Sequence, residues 1–195
     1  MINIKIDNKD ISVPQGTNIF KAAKDNGIYI PGLCYHPKLT QYGGCRLCMV
    51  EITERGRTRH RFSCAQPVAE GMTVKTKTPE TEKYTKSVME YLLAHHPLDC
   101  PTCDKSGECG LQEVTHDLKL KPGRFKSARL DKPMRRDNPL LEYNSNRCIL
   151  CSRCVKVCKE IAGVGAIDYQ NRGFETVVGT AFDKPLDCSF CGGCV

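Results

Sequence analysis

Arg147-Cys148-Ile149-Leu150-Cys151-Ser152-Arg153-Cys154-Val155-Lys156-Val157-Cys158-Lys159 spaces four cysteines as C-x2-C-x2-C-x3-C. Thiolates two residues apart on a tight loop can point at adjacent irons of one small iron–sulfur cluster, and this run is a [4Fe–4S] spacing, with Lys159 where proline is usual. The run begins again at Cys188, Cys191 and Cys194, and Val195 follows. The repetition reads as an internal duplication of one cluster-binding unit. In such pairs the fourth cysteine of each run ligates the other cluster. The spacing therefore predicts one [4Fe–4S] cluster on Cys158, Cys188, Cys191 and Cys194. It predicts a second on Cys148, Cys151 and Cys154, with its fourth ligand a cysteine beyond Val195.

Two further groups lie upstream, within a total of fourteen cysteines. Cys100, Cys103 and Cys109 lack a fourth cysteine, and His96 stands just before them. A neutral imidazole completing that set makes the cluster less negative and easier to reduce, as in other histidine-ligated centres. His95 is the neighbouring alternative; His36, His60 and His116 have no such context and are expected in solvent. Cys34, Cys45, Cys48 and Cys64 form the first group, with Gly43 and Gly44 letting backbone N–H groups approach sulfur. Soft thiolates suit either an iron–sulfur cluster or Zn2+. Zinc ribbons pair two C-x2-C knuckles, whereas Cys34 and Cys64 stand alone, so a [2Fe–2S] cluster is the better reading.

The chain of 195 residues allows one to three small domains, each needing a staple such as a metal centre. Disulfides are the other use for so many cysteines. The opening Met1-Ile2-Asn3-Ile4-Lys5 has no basic n-region and no apolar h-region, and no apolar run approaches membrane-spanning length. The expectation is a cytoplasmic chain with reduced thiols and no membrane span. Net charge is +7. Fourteen thiolates and four +2 cluster cores bring the holo chain to about +1, so the excess base offsets buried anionic clusters.

Ile2, Ile4 and Ile6 alternate with polar residues as a strand, and Ile11-Ser12-Val13 makes a second. Thr17 is the expected cap of a helix carrying Ile19, Phe20, Ala22 and Ala23, closed by Gly27. Strands follow at 49–53, on a return reaching Phe62 and Cys64, and at 72–74. Strand, hairpin, helix and cysteine loop is the order of a β-grasp ferredoxin, giving a first domain over 1–78. Thr78-Pro79-Glu80 opens a helix with Tyr84, Val88, Met89, Leu92 and Leu93 on its apolar face. That helix and the Cys100–Cys109 loop form a domain over 79–118. A basic connector runs over 119–138. A two-cluster domain over 139–195 carries a hairpin around Asn171-Arg172-Gly173. Arg55, Arg57, Arg59 and Arg61 alternate as a solvated strand face, with a docking surface the sharper idea. No P-loop, HExxH, GxSxG or dinucleotide fingerprint is present.

Pro31-Gly32-Leu33-Cys34, Gly44-Cys45-Arg46-Leu47-Cys48, His96 through Gln112 and Arg147 through Cys154 resemble one family along nearly the whole length. It is the N-terminal iron–sulfur electron-transfer region shared by the complex I large peripheral subunit, the NAD-dependent formate dehydrogenase catalytic subunit and [FeFe] hydrogenase. The resemblance implies an α+β architecture: a β-grasp [2Fe–2S] domain, a small helical [4Fe–4S] domain with one histidine and three cysteine ligands, and a two-cluster bacterial-ferredoxin-like domain, incomplete here. By matching position it supports His96. The cofactors are then one 2Fe–2S cluster and three 4Fe–4S clusters. The retained fourth group favours a formate-dehydrogenase-like or hydrogenase-like member. The implied partners are flavin- and iron–sulfur-containing redox subunits, with no nucleic acid. The expected function is an electron relay inside a multi-subunit oxidoreductase, with no catalytic site in these residues. The rival class is a zinc-stabilised binding module.

Overall fold

In the computed structural model, residues 1–121, 124–125, 131–136 and 138–195 are described. The alternating isoleucines form β1 (Ile2–Ile6), which turns through Asp7 and Asn8 into antiparallel β2 (Lys9–Val13). Both turn residues have positive φ, a region Asn and Asp tolerate best among side-chain-bearing residues, and the second strand accordingly starts at Lys9 rather than Ile11. Helix α1 (Ile19–Asp25) is capped by Asn18, whose Oδ1 accepts from Lys21 N at 2.8 Å, rather than by Thr17. Thr17 is held by backbone bonds instead, donating to Pro14 O and accepting from Val68 N. β3 (Met49–Glu54) and β4 (Arg57–Phe62) form a hairpin through Arg55-Gly56, and β5 (Thr73–Lys75) completes the sheet.

The sheet order is β2-β1-β5-β3-β4, with β1 and β5 parallel and every other pair antiparallel. Ile4, Ile6, Val50, Ile52 and Val74 pack with Ile19, Phe20, Ala22 and Ala23 of α1 into one core that also takes in Cys48 and Cys64. Each fully buried aliphatic side chain there contributes about 1.5–3 kcal/mol.

Thr78 and Thr81 form a reciprocal capping box at the start of α2 (Pro79–His95). The buried stripe of α2 is Thr81, Thr85, Met89 and Leu93; Met89 and Leu93 belong to the expected face, whereas Tyr84, Val88 and Leu92 are only half-buried. Apolar periodicity could not see the threonines. They are admitted because Thr85 Oγ1 donates to Thr81 O at 2.8 Å, which satisfies its hydroxyl inside the core. α3 (Gly110–Asp117), α4 (Arg153–Lys156) with a π turn over Val157–Ile161, and the hairpin β6 (Asp168–Gln170) and β7 (Val177–Gly179) follow. No helix among the described residues is long and apolar enough to cross a membrane.

Candidate metal centres

The first four cysteines converge because the chain leaves β4 early. Ser63 N and Ser63 Oγ both donate to Cys48 O at 2.9 Å, pulling residues 63–65 into a 3-10 turn. Cys64 therefore lies off the strand on which the alternation placed it, beside Cys48. Cys34, Cys45, Cys48 and Cys64 are all buried, and Leu33 N donates to Cys45 Sγ at 3.4 Å. The thiols of Cys45 and Cys64 donate toward Cys34, holding its pKa down to about 2 and pushing their own up. Cys64 likewise holds Cys48 down to about 7. Four thiols in an apolar wall cannot all ionise unless a cationic group lies among them. Among the described residues, no group of three or more His, Cys, Asp or Glu side chains is arranged so that it could hold a single metal ion.

In the second group, Cys100 and Cys103 share a 3-10 turn, and Cys109 sits at the entry of α3. His95 is exposed and meets Phe174 edge-on at 5.3 Å; His96, half-buried, is the extended residue just past α2, with its N–H donating to Leu92 O at 3.1 Å. Arg147 Nη2 lies 2.7 Å from Asp99 Oδ2 and Nη1 lies 3.5 Å from Asp104 Oδ2. One guanidinium thus ties the Cys100–Cys109 loop to the Cys148 loop.

The third and fourth groups share a backbone design. Leu150 and Phe190, each just before the second cysteine of its run, have φ of 53° and 52°; Ser152 and Gly192, each just after it, have 68° and 73°. Left-handed residues between the thiols turn backbone N–H groups inward, and Leu150 N indeed donates to Cys148 Sγ at 3.4 Å. Residue identity concealed this, since Leu, Phe and Ser rarely adopt that backbone. Burial with Cys148 and Cys151 nearby pushes the Cys154 thiol up to about 11. Cys158 Sγ accepts from Ala166 N at 3.3 Å. The Cys194 thiol is raised by partial desolvation and then by the charges of Cys158, Cys191 and Cys188. Cys191 and Cys194 are exposed.

A second core joins the groups. Cys34, Cys45, Leu47, Met89, Leu93, Leu111 and Val114 are buried together, with Cys109, Ile149 and Cys151 packed against them. A cavity of about 540 Å³ has Cys45, His96 and Cys148 in its wall. Among the described residues, three side-chain polar atoms are sealed from water without a hydrogen-bond partner: Tyr143 Oη, Arg147 Nε and His60 Nε2. Two belong to the segment leading into Cys148. His60 corrects the expectation of solvent, being half-buried 3.8 Å from Glu51. The four alternating arginines of the β3–β4 hairpin are exposed and line a polar cleft of about 440 Å³.

Several cations of the basic connector pair with carboxylates. Arg124 pairs with Glu90 at 3.0 Å, Lys132 with Glu175 at 2.7 Å, and Arg136 with Glu142 at 3.0 Å. Lys126 and Arg129 lie outside the described residues.

Three family models match in succession: the 2Fe-2S iron-sulfur cluster binding domain over residues 1–79, the NADH-ubiquinone oxidoreductase-G iron-sulfur binding region over 86–124, and the ferredoxin-like domain of NADH-quinone oxidoreductase subunit 3 over 138–195. The NADPH-Fe(3+) oxidoreductase subunit alpha of Geobacter sulfurreducens is 43% identical over 195 residues, covering 100% of this chain and 23% of that protein. The 78 kDa subunit of NADH-ubiquinone oxidoreductase of Neurospora crassa is 41% identical over 199 residues, covering 100% of this chain and 26% of that protein. The chain thus spans about a quarter of the length of these curated relatives. A chain of an NAD+-reducing [NiFe]-hydrogenase in the H2-reduced state superposes with a TM-score of 0.84 at 31% identity, over 92% of this chain and 74% of that one.

Proposed function

The chain belongs to the iron–sulfur electron-transfer family found in NADH-quinone oxidoreductases, NADPH-Fe(3+) oxidoreductases and hydrogenases, and from that premise we propose a ligand scheme and a relay. Residues 1–78 form a β-grasp domain in which Cys34, Cys45, Cys48 and Cys64 would hold a [2Fe–2S] cluster. Residues 79–118 would hold a [4Fe–4S] cluster on His96, Cys100, Cys103 and Cys109. The connector spans 119–138. Residues 139–195 would hold two more [4Fe–4S] clusters, one on Cys148, Cys151 and Cys154 with a cysteine beyond Val195, the other on Cys158, Cys188, Cys191 and Cys194. Such clusters supply reversible one-electron transfer. The chain's own residues supply thiolates, N–H donors to sulfur, and walls that exclude water.

One observation carries the relay: a single apolar core takes in cysteines of three groups, Cys34 and Cys45, Cys109, and Cys151. Ligands packed into one water-free core hold redox centres at fixed separations with little room to reorganise. The electrons would pass between a flavin-containing, nicotinamide-oxidising subunit and a catalytic centre outside these residues. Iron and acid-labile sulfide analysis of the full-length holoprotein, with EPR spin counting, tests the scheme. One [2Fe–2S] and three [4Fe–4S] clusters require roughly 14 irons. A colourless protein carrying zinc would sink it.

A further inference from the structure

Tyr143 enters no part of the ligand scheme, yet its hydroxyl is placed as a donor would be. It lies just upstream of Cys148 and is held at its backbone: Tyr143 N donates to Arg135 O at 3.0 Å, and Arg135 N donates to Tyr143 O at 2.9 Å. Its ring lines a cavity of about 350 Å³ together with Cys154, Val178 and Cys194. The hydroxyl is sealed from water and meets no acceptor in good hydrogen-bond geometry; the Val178 backbone lies against it. The Cys148 thiol lies beside it, with Cys154 also near. A buried O–H left without an acceptor costs about 1–3 kcal/mol, and phenylalanine would avoid that cost. The position thus carries a buried O–H beside the Cys148 sulfur, without a well-formed acceptor of its own.

We propose that Tyr143 donates its hydrogen bond to sulfur of the cluster held by Cys148, Cys151 and Cys154, and thereby raises that cluster's reduction potential. The inference rests on the reading that Cys148 is a ligand. An electron added to the cluster increases negative charge on its sulfurs, so a fixed O–H dipole favours the reduced state over the oxidised one. The ring fills space in either case, which makes Tyr143→Phe a clean removal of the dipole.

The test is an EPR-monitored redox titration of the full-length holoprotein, wild type against Tyr143→Phe. Electron–nuclear double resonance on the reduced protein, in H2O and D2O, accompanies it. The expected result is a shift of one [4Fe–4S] cluster to lower potential and loss of one exchangeable proton coupling from its spectrum, with the other clusters unmoved. Unchanged potentials and an unchanged proton coupling would overturn the proposal. Cys148→Ser separates the two layers. If it removes a cluster signal while Tyr143→Phe moves nothing, the tyrosine assignment alone is wrong. If it leaves iron content and every signal intact, the ligand reading fails and takes the proposal with it.

Discussion

Met89→Ala should weaken the first and second centres together. Met89 is fully buried on α2 and carries no ligand, but it packs among Cys34, Cys45, Leu47, Leu93, Leu111 and Val114. The substitution deletes Cγ, Sδ and Cε from a site with no access to water. Lost transfer free energy plus an unfilled cavity costs about 2–5 kcal/mol. For a chain of this length each kcal/mol lowers the melting temperature by roughly 2–4 °C, so a loss of about 3 kcal/mol lowers it by roughly 6–12 °C. The assay heats the holoprotein while following visible bleaching, with EPR of quenched samples to separate [2Fe–2S] from [4Fe–4S] loss. Both classes should bleach earlier in step. Leu140→Ala is the control, at an exposed position, and should stay within about 0.5 kcal/mol. A Met89→Ala protein that melts with wild type, or that loses only one class early, would refute the idea of a shared core.

Glu160 accepts from Thr40 N at 2.8 Å and Thr40 Oγ1 at 2.5 Å, and meets Lys156 at 3.0 Å, clamping the first cysteine loop to the π turn after α4. These donors lower its pKa from 4.5 to about 2. Its contribution is therefore fully present above pH 4.5 and disappears as pH falls toward 2; the urea midpoint of wild type should exceed that of Glu160→Gln by more at pH 7 than at pH 4, and a gap that widens on acidification would contradict the sign. Gly44→Ala places a Cβ 2.1 Å from Tyr42 Cε1, so the ring must swing off Tyr169, which it stacks on at 6.2 Å. Iron reconstitution of the [2Fe–2S] centre should slow. Gly56→Ala, strained at φ +74° but with open space around it, should cost about 1 kcal/mol and leave cluster content at wild-type level. His96→Cys adds an anion to the second centre and should lower the potential of one [4Fe–4S] cluster, while His95→Cys leaves all potentials in place; the opposite pattern in a redox titration would move the ligand to His95.

Cysteine spacing alone determined the kind of chemistry, because thiolates two residues apart need only a tight loop to meet one cluster. The alternation of Ile2, Ile4 and Ile6 and the Thr78-Pro79 cap were equally legible, since both are local patterns set by neighbours in the chain. Residue type could not reveal what depends on distant partners. Asn18 took the cap from Thr17 because Pro14 and Val68 hold the Thr17 backbone. The buried face of α2 runs through two threonines because backbone carbonyls satisfy one hydroxyl inside the core. Cys64 leaves its strand because Ser63 bonds back to Cys48. The pairing of Arg147 with Asp99, the common core beneath three cysteine groups and the sealed Tyr143 hydroxyl each join segments far apart in sequence. Only packing brings such segments together, so only the tertiary structure decided how the centres are held against one another.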